Sequence, residues 1–150
     1  ANKRFVMFGS GTNVKSMAYV ENVAAFIEYC LKLDKGFHLY NYIDKPDIDM
    51  NELVSISRKI LFNKDGVGIR LPAFLAYFIG YVADLFSFIS RKKLPVSSIR
   101  IKKFMSNTQF SSSINKTDFK APVQIKEAIR RTINYEFIDD NSGKKTFYSE

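Results

Sequence analysis

Two glycines, Gly9 and Gly11, follow an apolar run over residues 5–8 and precede a basic residue, Lys15. A strand, a glycine turn and a helix in that order could cradle a dinucleotide, with the pyrophosphate seated on the helix N-terminus. Here the third glycine position holds Val14, and the first helix signal, Asn22, comes too late to receive a phosphate. As a cofactor loop the stretch fails. Cys30 is the one cysteine, so no internal disulfide and no cysteine metal site can form. It falls on an apolar stripe with Val23, Phe26, Ile27 and Leu31 and has no basic partner to lower its pKa, which makes it an inert packed thiol rather than a nucleophile. His38, the one histidine, has no neighbours with which to build a zinc site and reads as a partly exposed strand residue.

Anion recognition remains. The formal net charge is +8, and six of the thirteen residues from 91 to 103 are basic: Arg91, Lys92, Lys93, Arg100, Lys102 and Lys103. Such a run fits solvated surface, the phosphates of a nucleotide sugar, anionic lipid or nucleic acid. A nucleic-acid-binding module would interleave base-stacking aromatics with the charges, and only Phe104 qualifies.

The elements that must position these groups can be read in order. Asn22 is a cap for a helix to about residue 33, because its side-chain oxygen can accept a first-turn N–H. Residues 34–36 end that helix, and 37–43 read as a strand. Lys45-Pro46-Asp47 is a turn, and Asp49 with Glu52 forms a variant capping box opening a helix to about residue 61. A short strand over 68–71 leads through Pro72 into a helix over 73–89 that is apolar nearly all round, with Asp84 its one charge. A helix with so little polar face must be covered, by the core, a missing domain, a second copy or a membrane surface. The last of these asks for a clear polar face, which the run lacks. Ser97 caps a further helix through Met105, residues 108–112 are extended, and 123–137 form a final amphipathic helix. The polar stretch 139–150 reads as a tail.

The totals suit one domain with a single core. No stretch reaches the roughly 18 uncharged residues of a membrane span, so none is expected. Residues 5–8 are too short for the apolar core of a signal peptide. A cytoplasmic setting is the expectation.

Several of these segments together carry a resemblance. Phe8-Gly9, then Lys15, then Tyr19-Val20-Glu21-Asn22-Val23-Ala24 match in order and spacing the segment that opens the C-terminal substrate region of extended short-chain dehydrogenase/reductases. That is the NAD-dependent epimerase/dehydratase group, which works on nucleotide sugars. Leu39-Tyr40-Asn41-Tyr42, Asp49-Met50-Asn51-Glu52-Leu53 and the stretch from Phe119 to Tyr135 continue it, so it covers roughly the whole chain. The resemblance implies an α/β fold: the C-terminal part of an extended Rossmann-type enzyme, mostly helices with a few short strands. Residues 1–138 would be the substrate-binding region. The segment 37–43 would be a parallel strand at the edge of the cofactor-binding sheet.

In that group a Tyr-x-x-x-Lys pair and a glycine loop do the chemistry. None of the eight tyrosines here has a lysine four residues on. The resemblance therefore implies a piece of a longer enzyme that is catalytically silent alone. NAD or NADP would be bound by an N-terminal Rossmann domain absent from this chain. Substrate binding carries over. The strand before the turn lies beside the nucleotide base, which points to Val6 and Phe8. The basic residue after the turn, usually arginine, approaches the diphosphate and is Lys15 here. A second arginine position falls nearest Lys102, with Arg100 close by, and its usual aspartate companion is Met105. Lysine offers a point charge where arginine offers a two-pronged fork. The expected partners are a nucleotide-sugar substrate, the absent domain and a second copy of the chain, with no nucleic acid and no membrane span. The alternative is a basic module that binds nucleic acid or a membrane surface.

Overall fold

The computed structural model describes residues 5–92 and 94–140. The fold is α/β, with five α-helices and four short strands among the described residues. In chain order they are β1 (Val6–Phe8), β2 (Val14–Met17), α1 (Val20–Cys30), β3 (Asp44–Asp49), α2 (Met50–Phe62), β4 (Ile69–Leu71), α3 (Ala73–Ser90), α4 (Ser98–Met105) and α5 (Ile125–Phe137), with a single 3₁₀ turn at Ile114–Lys116 before α5. Most polar-tail residues, 141–150, lie outside the described part.

Two small ribbons hold the helices. β1 runs parallel to β4, with Val6 opposite Ile69 and Phe8 opposite Leu71. β2 runs antiparallel to β3, with Val14 opposite Asp49 and Met17 opposite Asp44. The extended stretch after α4 closes on the free edge of β2: Ser16 N–H donates to the Thr108 carbonyl at 2.9 Å, and Thr108 N–H to the Val14 carbonyl at 3.0 Å.

Apolar periodicity places the core. Ile48 of β3 packs with Ile125, Ile129 and Ile133 of α5 and with Leu53, Ile56 and Ile60 of α2. A second cluster joins Met7 of β1 to Met50 and Val54 of α2, with Phe104 of α4 against it. An aromatic group of Phe26, Tyr29, Tyr40, Tyr42 and Phe119 seals α1 onto the loops, with ring centres 5.1–6.1 Å apart around Phe26, Tyr42 and Phe119.

Caps decide the boundaries. Asp49 accepts from the Glu52 N–H at 2.7 Å and starts α2 as its N-cap, while the Glu52 carboxylate pairs with Lys126 at 2.7 Å. Ser97 accepts from the Arg100 N–H at 3.3 Å and starts α4. Asn22 does not cap α1. The helix begins at Val20 with Tyr19 at the cap position, and Asn22 turns inward, fully buried. The expected strand over 37–43 is also corrected, since the ladder lies at Asp44–Asp49 instead. Phe37 and Leu39 are 89% and 81% exposed, and among the described residues no strand pairs with them. The turn expected at Lys45-Pro46-Asp47 is absorbed into β3, where Pro46 is tolerated because only one neighbouring strand pairs with it.

Helix α3 buries only Ala76 and Gly80. A Cβ on Gly80 would stand 2.8 Å from the Ser98 Cα, so glycine is what lets α4 approach. Asp84 accepts from the Ser98 N–H at 3.2 Å, and Ser87 and Ser90 donate to the carbonyls of Lys92 and Phe86. Every charged or hydroxymethyl side chain of α3 is thus spent locally. By length and composition α3 is apolar enough to cross a membrane, which a search for an uncharged run misses because Asp84 interrupts it.

Candidate functional site

The glycine turn is a built structure. Gly9 and Gly11 take φ values of +69° and +72°, the left-handed region in which a side chain is strained. At Gly11 a Cβ would also lie 2.2 Å from both the Asn51 Oδ1 and the Met7 Cε. Gly9 N–H donates to the Leu71 carbonyl at 2.9 Å, extending the β1–β4 pairing. From β4, the Arg70 guanidinium donates to the Gly9 carbonyl at 2.9 Å, to the Ser10 carbonyl, and to the Asn51 Oδ1 at 2.9 Å. Asn13 reaches the other way, donating from Nδ2 to the Phe104 and Ser106 carbonyls at 2.9 and 3.2 Å, which satisfies the end of α4.

A cleft of about 600 Å³ opens beside this turn. Phe8, Ala73, Tyr77 and Met105 give it an apolar lining, while Ser10, Thr12, Asn13, Asn107 and Gln109 supply hydroxyls and amides. None of its lining residues is a carboxylate, a histidine, a cysteine or a lysine. The arrangement can hold and orient a polar ligand against an apolar wall, and the Tyr77 phenol is the one titratable side chain among its lining residues.

The residues singled out from sequence are distributed unevenly. Phe8 lines the cleft, and Val6 sits two positions back on the same strand, half-buried opposite Ile69. The Lys15 ammonium donates to the Lys103 and Ser106 carbonyls at 2.9 and 2.6 Å, leaving one N–H for another partner. It thereby fastens β2 to the end of α4, beside the cleft residue Val14. Arg100 donates to the Pro95 carbonyl at 2.8 Å and, like Lys102, is exposed on α4 without lining the cleft. Arg70, Thr12, Asn107 and Gln109 escaped the sequence reading. Only the parallel register, which sets Arg70 opposite Met7, brings that guanidinium to the turn.

The N-terminus of α2 abuts the turn but is already engaged with it: Met50 N–H donates to the Asn13 carbonyl and Asn51 N–H to the Gly11 carbonyl, both at 3.1 Å. Those amides would otherwise be the phosphate donors.

Electrostatics on the flank are set by Asp47. Burial would raise its pKa, but hydrogen bonds from Lys45, Gln109 and Ser16 and the charge of Lys45 outweigh burial and hold the carboxyl below its usual value. Gln109 donates to it at 3.0 Å, so this carboxylate fixes one wall of the cleft.

Compared with known proteins, the whole chain is similar to an epimerase. It is 43% identical over 152 aligned residues to the N-acetyl-alpha-D-glucosaminyl-diphospho-ditrans,octacis-undecaprenol 4-epimerase of Escherichia coli O157:H7, covering all of this chain and 46% of that protein. The match is to its C-terminal part. The chain thus spans about half the length of the curated relative it matches. No protein-family model and no solved structure matches it.

Proposed function

We propose that the chain is the substrate-binding part of an NAD(P)-dependent, cytoplasmic epimerase acting on a sugar carried by a diphosphate. The observation that carries the reading is the cleft between the glycine turn and α4: a pre-formed, polar-rimmed pocket, in a chain similar throughout to part of an epimerase. The sugar and diphosphate contact Ser10, Thr12, Asn107 and Gln109, and the remaining N–H of Lys15 faces the diphosphate. Arg100 and Lys102 take part only if α4 meets the ligand from outside the cleft. The base of a nucleotide carrier would lie along Val6 and Phe8. Cofactor and catalytic tyrosine belong to an N-terminal part, which also covers the exposed side of α1 and the 31–39 segment.

The carrier is a nucleotide or a polyprenol, since both present the same glycosyl diphosphate. Calorimetric titration of the full-length protein separates them, with UDP-N-acetylglucosamine in one arm and detergent-solubilised N-acetylglucosaminyl-diphospho-undecaprenol in the other. Lys15→Ala is expected to weaken the carrier that binds by about tenfold, the scale of one charge-assisted hydrogen bond. Lys15→Arg should retain most of the affinity. Binding of neither carrier, or an unchanged affinity in Lys15→Ala, overturns the assignment.

A further inference from the structure

We infer that α3 is a docking surface for an anionic lipid bilayer, lying in the membrane interface with α4 and the body of the domain behind it. At 18 residues, α3 is about 27 Å long. Phe74, Phe78, Leu85, Phe86, Phe88 and Ile89 are each more than half exposed, and Phe88 reaches 83%. The buried stripe, Ala76 and Gly80, faces α4, so the rest of the surface is almost continuously apolar. A contiguous patch of this kind marks an interaction surface. The polar face that an interfacial helix needs is supplied by α4 rather than by α3 itself, because Asp84 points at the α4 N-terminus.

Charge picks out the partner. Arg91 and Lys92 stand at the C-terminal end of α3. Lys102 and Lys103 occupy the last turn of α4, whose end meets the start of α3, where Met105 and Ala73 both flank Gly9. All four are exposed, and among the described residues none is engaged in an ion pair. An apolar helix with cations at both ends matches a bilayer of anionic headgroups over hydrocarbon. The helix lies on the membrane rather than spanning it, since crossing would drag the basic α4 into the hydrocarbon.

This surface joins the cleft. Ala73 and Tyr77 of α3 line the cleft, and Phe74 and Phe78 follow on the exposed side. On the reading proposed above, a sugar diphosphate on a polyprenyl carrier would keep its lipid in the bilayer while its headgroup enters the cleft. The exposed segment around Phe37 and Leu39 is a separate face and suits the remainder of the enzyme.

The test uses full-length protein and vesicles with no sugar substrate, so it is independent of what the cleft binds. In flotation, the wild type is expected to rise with phosphatidylcholine–phosphatidylglycerol vesicles and much less with phosphatidylcholine alone. Replacing Phe78, Phe86 and Phe88 together by serine should weaken binding at least tenfold. These residues are exposed, so the fold is preserved, as unchanged helicity and an unchanged thermal denaturation midpoint would verify. An environment-sensitive fluorophore on Phe86→Cys, with other reactive cysteines replaced, should report water before vesicles are added and hydrocarbon afterwards. No flotation, flotation unaffected by the triple substitution, or a label already shielded in solution by the N-terminal part or a second copy overturns the inference.

Discussion

The side-chain amide of Asn22 donates to the Asp44 carboxylate at 2.9 Å, with both residues buried. The same amide donates to the Val123 carbonyl at 2.8 Å, and its oxygen accepts the Val123 N–H at 3.0 Å. Asp44 also accepts from the Tyr19 N–H at 2.6 Å and the Tyr42 hydroxyl at 2.7 Å. The Tyr42 phenol is pushed well up, by burial first and then by the hydrogen bond and charge of Asp44. One asparagine thus joins α1, β3 and the approach to α5 while balancing a buried carboxylate, as a satisfied polar network must.

Asn22→Ala should therefore cost far more than loss of a helix cap. It strands the Val123 N–H and carbonyl and removes one donor from Asp44, for a destabilisation on the order of 3 kcal/mol. Urea denaturation measures this, and a loss below about 1 kcal/mol, the usual size of a cap, would contradict the network role.

The glycines separate backbone strain from crowding. Gly66 takes φ +68° with open space where a Cβ would go, whereas Gly11 takes φ +72° with side chains in the way. Gly66→Ala should cost about 1 kcal/mol from the left-handed backbone alone. Gly11→Ala should cost at least about 2 kcal/mol more, because Asn51 and Met7 must move, and it should weaken glycosyl diphosphate binding in the full-length protein. Equal losses in thermal denaturation would show that the turn adapts.

Part of the acid sensitivity can be assigned to Glu127, a half-buried carboxylate of α5. Hydrogen bonds from Arg130 and Arg131 hold Glu127 down to about 2 from an ordinary 4.5. Because the folded value is the lower one, its stabilisation is fully present above the ordinary value and is lost as pH falls from there toward the folded value. The difference in Tm between wild type and Glu127→Gln should be constant above pH ~5 and shrink steadily below it. A difference that grows on acidification would refute the assignment.

Local signals were legible where chemistry acts between near neighbours. Asp49 with Glu52, Ser97 with Arg100 and the run in α3 each announce a helix because cap and period lie within a few residues. Asn22 misled for the same reason: a cap and a buried bridge use the same side chain, and only Val123, distant in sequence, distinguishes them. The segment 37–43 has strand composition but, among the described residues, no partner strand, and composition alone carries no information on pairing. At the cleft, Phe8 was singled out only through the resemblance to a known family. Arg70, Asn107 and Gln109 arrive through pairings across the fold and carry no local mark.

The uncovered side of α1 yields the last prediction. Leu31, Phe37 and Leu39 are each more than four-fifths exposed, and Ile27 is 58% exposed. Beside them, the 37–40 segment joins no ladder among the described residues, and unpaired extended backbone invites association. In the proposed enzyme this side meets the N-terminal part. The 150-residue chain made alone should therefore self-associate, most simply as a twofold dimer that places one copy's 31–39 segment against the other's. Replacing Leu31, Phe37 and Leu39 by serine should return it to a monomer with unchanged helicity, since none of the three supports the core. The full-length protein should be insensitive to concentration through this surface. Light scattering across the low micromolar range is the measurement: a monomer of chain mass with no concentration dependence in the unmodified chain would sink the idea.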